Sequence, residues 1–165
     1  MGVTRINVRS AREMGTAVAQ QVDEAKVFIA CAAVADWRPA VAADQKIKKD
    51  GSGLPTALSF VENPDILATV AQSPRALSRE LYCVGFAAES QDLLANAQAK
   101  RARKGVPLLV GNIGPATFGQ DDNALLLVDE AGAHELPRNS KLVLARQLIA
   151  NIACRIRAGG QNDAR

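Results

Sequence analysis

Three lysines, Lys46, Lys48 and Lys49, fall within four residues of one another, and Asp36 precedes the first of them by ten. Ammonium groups are compact cations on flexible stems and suit phosphoryl oxygens. The adjoining Asp50-Gly51-Ser52-Gly53 reads as a mobile flap that can close over a bound molecule. Upstream, the apolar run Val27–Ala33 has the length and β-branched content of a strand buried on both faces. Asp36-Trp37-Arg38-Pro39 leaves its carboxyl end. Ligands of open α/β sheets bind outside such ends, so an acid and lysines on one exit predict a site for a phosphorylated ligand. On spacing alone the segment reads equally as a surface loop with solvated charges.

Lys100 and Lys104 form a second cationic pair. On a helical period they project to the side of Leu93 and Ala97, whereas Arg101 and Arg103 splay to the flanks. Cations near a helix C-terminus can also simply complement its macrodipole. Asn63-Pro64-Asp65 is a helix start, with Asn63 as cap, Pro64 in the first turn and Asp65 meeting the dipole. The free N–H groups over Pro64–Leu67 could meet an anion, although unaided they read as structural punctuation. The usual nucleotide signatures are missing. There is no GxGxxG, and Gly114–Gly119 has P-loop spacing but Gln120 stands where a lysine must reach the phosphates.

Strands alternating with helices must position these groups. Arg5–Val8 reads as a short strand, and Ser10-Ala11-Arg12-Glu13 as a capping box opening a helix to about Glu24. Thr56–Val61 alternates as a strand with one solvated face, and Leu81–Ala87 and Pro107–Val110 read as buried strands. Gln91–Lys104 reads as a helix, and Ala124–Asp129 with Ala133–Leu136 as a hairpin turning at Glu130–Gly132. A last helix, capped by Asn139 or Ser140, carries Leu142, Ala145, Ile149, Ile152 and Ile156 on one stripe and ends at Gly159-Gly160. This pattern predicts right-handed βαβ units, hence a Rossmann-like three-layer αβα domain with a mainly parallel sheet and a C-terminal hairpin. Residues 1–158 read as one domain and 159–165 as a flexible tail.

Composition narrows the function classes. The chain of 165 residues is 48% hydrophobic and 22% charged, enough for a core, and its net charge of +3 is mild. Scattered basic residues and 4% aromatics argue against nucleic-acid binding. Cys31, Cys83 and Cys154 are widely spaced and read as reduced core thiols of a cytosolic protein. His134 has no partner for a metal site, and no apolar run reaches the roughly 18 residues of a membrane span.

AAVADWRP, KIKK, ENPDIL, VGFAAES and FGQDDNA occur in an order and at separations that resemble phosphopantothenoylcysteine synthetase. That family comprises the carboxylate–amine ligases of coenzyme A biosynthesis, often fused in bacteria to the phosphopantothenoylcysteine decarboxylase flavoprotein. The resemblance runs from about Arg5 to Leu148. It implies that 4′-phosphopantothenate attacks the α-phosphate of CTP, bound with Mg²⁺, and that cysteine then opens the acyl-cytidylate. Lys46 would be the catalytic residue, a fixed cation stabilising charge that develops at the α-phosphate. Ala30, Cys31, Ala32, Asp36, Lys46, Pro64, Asp65, Ile66, Leu67, Phe86, Lys100 and Lys104 would bind the nucleotide. Without the resemblance, Phe86 reads as core and Asp36 as a turn cap or a partner of Arg38. Asn112, Phe118, Asp121 and Asn123 would lie in a substrate loop, although Ile113 replaces the family's aspartate and the loop is short.

The family also opens with a strand and a glycine- and serine-rich loop holding an asparagine, and no match to it stands before Met1. Two readings follow: the nucleotide half of the ligase, or a non-catalytic nucleotide-binding or dimerisation module. Intact motif lysines favour the ligase. The expected protein is a cytoplasmic homodimer with no protein-bound metal, preferring CTP over ATP or NAD. Residues 1–165 alone should turn over little, with activity returning when the segment is restored.

Overall fold

A computed structural model describes residues 2–41, 43, 45–48, 51, 57–89, 91–113 and 119–162. Its elements are α1 (Ala11–Gln21), β1 (Val27–Ala30), β2 (Trp37–Pro39), β3 (Phe60–Glu62), α2 (Ile66–Ala71), α3 (Pro74–Leu77) and β4 (Tyr82–Glu89). After them come α4 (Leu93–Lys104), β5 (Leu108–Ile113), β6 (Asp122–Asp129), β7 (Gly132–Ser140) and α5 (Lys141–Asn162).

The sheet runs β1-β4-β5-β6-β7. Its first three strands are parallel, with Ala30 opposite Gly85 and Glu89 opposite Ile113. The expected C-terminal hairpin, β6–β7, then extends the sheet antiparallel. β2 and β3 form a separate ribbon, Trp37 opposite Glu62.

Strand alternation sends side chains to two cores. Cys83, Ala87 and Leu109 meet residues of α1, α2, α3 and α4 on one face, and Val84, Leu108, Val110 and Leu127 meet α5 on the other. The three-layer, Rossmann-like expectation therefore holds. Glycines set the spacing on the first face. A Cβ on Gly85 would lie 2.7 Å from Leu67 Cδ2 and 2.8 Å from Leu109 Cδ1, so any side chain there must displace both methyl groups.

Several sequence expectations are corrected. Arg5–Val8 is not a strand, since no neighbouring backbone pairs with it among the described residues. β1 stops at Ala30 and is half-buried along its length, being hydrogen-bonded on one side only among the described residues. Of the strand placed at Thr56–Val61, Thr56 lies outside the described residues, and the strand found is the three-residue, exposed β3. Ser10 caps α1 as expected, its Oγ accepting from Glu13 N at 3.2 Å, but the Glu13 carboxylate accepts from Arg9 N at 2.8 Å, one residue before the cap. The next cap is Asp65, not Asn63.

α5 continues past Gly159-Gly160 to Asn162, and its buried residues are Leu144, Leu148 and Ile152. Of the expected stripe only Ile152 is buried; Leu142, Ala145, Ile149 and Ile156 stay exposed, because the sheet takes the neighbouring row of Leu144, Leu148 and Ile152. No described helix is long and apolar enough to cross a membrane.

Only one thiol is a core group. Cys83 is 1% exposed, and burial pushes its thiol up to about 11, whereas Cys31 and Cys154 are exposed. Thiolate is the nucleophile. Native protein is thus expected to take up iodoacetamide at Cys31 and Cys154 and at Cys83 only after unfolding, a pattern peptide mass mapping reads directly.

Candidate functional site

The parallel strands deliver their carboxyl ends to one edge. Because Ala30 pairs with Gly85, Cys31 and Ala32 leave the sheet at the level of Phe86. β6 returns antiparallel, so Asp121 and Asn123 begin at the edge where Asn112 ends. Topology thus brings Cys31, Ala32, Asn112, Asp121 and Asn123 to one edge.

Asn63 fixes the turn between β1 and β2. Its backbone N–H donates to the Asp36 carbonyl at 2.7 Å, and its side-chain amide donates to the Ala35 carbonyl at 2.8 Å. The Asn63 Oδ1 accepts from Arg38 Nη1 at 3.1 Å, and the same guanidinium bonds the Glu62 carbonyl. Arg38 is thus engaged with the Asn63 strand end rather than with Asp36, so the reading of Asp36 as a partner of Arg38 does not hold. The Asp36 side chain is exposed and makes no ion pair with the described residues.

Immediately after this clamp, Pro64 leads into Asp65, whose carboxylate caps α2 by accepting from Ala68 N at 3.0 Å. The second carboxylate oxygen takes the ammonium of Lys104, which reaches back from the last turn of α4 and is largely covered. Long helical side chains lean toward the N-terminus, so a lysine at the end of α4 can serve a residue beside its middle. One turn earlier Lys100 faces Glu89, the last residue of β4, at 3.9 Å. The shared side of Lys100 and Lys104 is as the helical period indicates. Leu93 and Ala97 on that side pack under the sheet, a Cβ on Gly111 falling 2.8 Å from Leu93 Cδ1.

Burial alone would raise the Asp65 carboxyl. The Lys104 ammonium, the Ala68 N–H and the nearby Arg103 together outweigh it and hold the group below its ordinary 3.8. A carboxyl depressed in the folded state adds stability above its unfolded pKa and loses it as pH falls through the folded value. Asp65→Asn keeps a competent cap but removes the charge. The parent should therefore lose stability more steeply than Asp65→Asn below about pH 4. Urea midpoints measured between neutral and acid pH test this; parallel curves would show that the ion pair contributes nothing.

Ile66 and Leu67 are half-buried against the β4 face, leaving backbone rather than side chain at the start of α2 for a ligand. Phe86 packs on the opposite face, within the core under α5. Lys46 is exposed in the segment joining β2 to β3 and contacts none of the other described candidates. Asn112 is half-buried, Asp121 receives Lys141 N on its carbonyl at 3.0 Å, and the Asn123 side chain accepts from Ala124 N at 2.8 Å. Lys49 and Phe118 lie outside the described residues. Sequence reasoning missed Asn63 as a clamp and Glu89 as a lysine partner. The signal for the first was present in two side chains, Asn63 and Asp65, competing for one cap.

This edge offers cations, helix-start N–H groups and exposed backbone, and among the described residues no cluster of His, Cys, Asp or Glu able to hold a metal ion. Such a site acts by positioning and by electrostatics.

A family model described as DNA/pantothenate metabolism flavoprotein C-terminal domain matches residues 1–155. The coenzyme A biosynthesis bifunctional protein CoaBC of Vibrio cholerae is 44% identical over 149 residues, 88% of this chain and 36% of that protein. The protein of the same name from Escherichia coli is 40% identical over 157 residues, 93% of this chain and 38% of that one. The chain thus spans little more than a third of the length of these relatives. A crystal structure of a CoaBC C-terminal domain superposes with a TM-score of 0.72 at 25% identity, covering 93% of this chain and 66% of the other. A Streptococcus pneumoniae DNA/pantothenate metabolism flavoprotein shares the fold, with a TM-score of 0.67 at 15% identity over 90% of this chain and 71% of that one.

Proposed function

Because this chain belongs to the family of DNA/pantothenate metabolism flavoprotein C-terminal domains, we propose that it is the nucleotide-handling part of a phosphopantothenate–cysteine ligase of coenzyme A biosynthesis. The observation that carries the reading is the convergence of Cys31, Asp36, Asp65, Lys100 and Lys104 at one sheet edge, held there by the Asn63 clamp. In this reading Ala30–Ala32 and Pro64–Leu67 line the nucleoside, and Lys100 and Lys104 face the phosphates.

The 4′-phosphopantothenate carboxylate forms a bond to the α-phosphorus of CTP as pyrophosphate leaves. The cysteine amine then attacks the acyl carbon, and CMP departs. Lys46 meets the α-phosphoryl oxygens, where charge grows in the first step. Mg²⁺ would arrive bound to the triphosphate, as it habitually does with substrate phosphates. Asn112, Asp121 and Asn123 face the phosphopantothenate end. Exposed Trp37 and Phe60 on the β2–β3 ribbon support pairing with a second copy.

The test uses the two reactive thiols of the chain itself. Cys31 belongs to the proposed site, and Cys154 lies on α5, outside it. CTP with Mg²⁺ should slow alkylation of Cys31 by about tenfold and leave Cys154 unchanged, with ATP or NAD protecting less. Equal rates at Cys31 with and without CTP would remove the nucleotide from this edge.

A further inference from the structure

We propose, resting on the nucleotide function proposed above, that Asn63 is a positioning residue for the nucleoside end of the ligand and has no hold on its phosphate end. The nucleotide site then consists of two parts that can be weakened one at a time.

The Asn63 amide can sit only one way round. A guanidinium donates and never accepts, so the atom 3.1 Å from Arg38 Nη1 is Oδ1. A peptide carbonyl only accepts, so the atom 2.8 Å from the Ala35 oxygen is the amide nitrogen Nδ2. Arg38 also donates to the Glu62 carbonyl, across the β2–β3 ribbon. Turning the amide over would set donor against donor and acceptor against acceptor. The backbone N–H of Asn63 adds a bond to the Asp36 carbonyl at 2.7 Å. Asn63 thus holds the carbonyls of both Ala35 and Asp36, and the first of them through its side chain alone.

The place of Asn63 in the chain decides what this hold controls. Ala35 and Asp36 end the segment that leaves β1 through Cys31 and Ala32, and Pro64 and Asp65, directly after Asn63, start α2. These are the two segments that line the nucleoside in the proposed function. Asp36 is exposed, and its carboxylate accepts hydrogen bonds, which a nucleoside can donate and an ionised phosphate chain cannot. The cations for the phosphates stand on another element. Lys100 and Lys104 project from α4, Lys100 toward Glu89 and Lys104 onto the Asp65 carboxylate. Among the described residues the side chain of Asn63 bonds Ala35 and Arg38, and neither of these acids.

Calorimetry on the 165-residue chain, with CTP and with inorganic tripolyphosphate as ligands and Mg²⁺ present, separates the two parts. The parent should bind both, CTP the more tightly. Asn63→Ala removes the side-chain bonds without changing net charge, so a polyanion meets no new repulsion. It should weaken CTP binding about tenfold, the scale of one or two lost hydrogen bonds, and leave tripolyphosphate within about twofold. A merely structural role would weaken both ligands alike. Circular dichroism verifies folding, and if Asn63→Ala fails to fold, Asn63→Ser makes the same test, its hydroxyl being too short to serve both partners. Unchanged CTP binding, equal losses for the two ligands, or a parent that takes CTP but no tripolyphosphate would overturn the positioning role while leaving the nucleotide site in place. A parent that bound CTP no more tightly than tripolyphosphate would instead remove the nucleoside from this edge, and the role with it.

Discussion

Lys46→Gln is expected to lower kcat by about 10²–10³ while leaving nucleotide Kd nearly unchanged, in protein extended by the family's glycine- and serine-rich segment. Losing one preorganised electrostatic donor costs that much when the charge it meets exists only in the transition state. The structure makes the test clean, because Lys46 is exposed and contacts none of the other described candidates. Its replacement should therefore leave the unfolding midpoint in place. Lys100→Gln is the contrast. It removes a cation from the rigid helix α4, so nucleotide affinity should fall by about 1–2 kcal/mol with less change in kcat. Steady-state kcat and KM, with an independently measured nucleotide Kd, separate the two. A cost confined to KM would make Lys46 a tether.

Gly85→Val should destabilise the fold by about 3 kcal/mol, and Gly85→Ala by about half as much, the range of overpacked cores. The added Cβ would meet Leu67 Cδ2 at 2.7 Å and Leu109 Cδ1 at 2.8 Å, both on neighbouring elements of a packed face. Leu109 belongs to the adjacent strand and has little room, so Leu67 must yield and α2 must lift. Because α2 begins at Asp65, the same substitution should also weaken CTP protection of Cys31. Urea unfolding at neutral pH measures the first effect. A midpoint equal to that of the parent would mean that the contact relaxes at no cost, and the close seat of α2 on β4 would not matter.

The alternation of strands and helices was readable because each buried strand is an unbroken apolar run and each helix keeps an apolar stripe. Gathering part of the site at the carboxyl edge followed from that topology. Lys100 and Lys104 were found by helical period, and their common side is real. What local pattern could not supply was competition between neighbours. Asn63 and Asp65 both suit a cap, and Asp65 takes it because Asn63 is engaged by Ala35, Asp36 and Arg38, from elsewhere in the chain. The two neighbouring rows of α5 are equally apolar on paper, and only the position of the sheet decides which is buried. Arg5–Val8 has strand-like residues, but a strand exists only where a partner backbone meets it. The role of Lys46 is the least legible. Its chemistry follows from resemblance, and no ion pair with the described residues points to it.

The acids beside Lys100 and Lys104 have one more consequence. Glu89 and Asp65 act as resident counter-ions, so this lysine pair at rest is neutralised rather than a bare positive well. A triphosphate reaching these lysines would enter by exchange, releasing two carboxylates as it neutralises two ammoniums. A singly charged anion gains little from that trade, because freeing one acid leaves it uncompensated. Discrimination between a polyanion and the chloride and acetate of ordinary solution would then reside in the displaced carboxylates as much as in the lysines themselves.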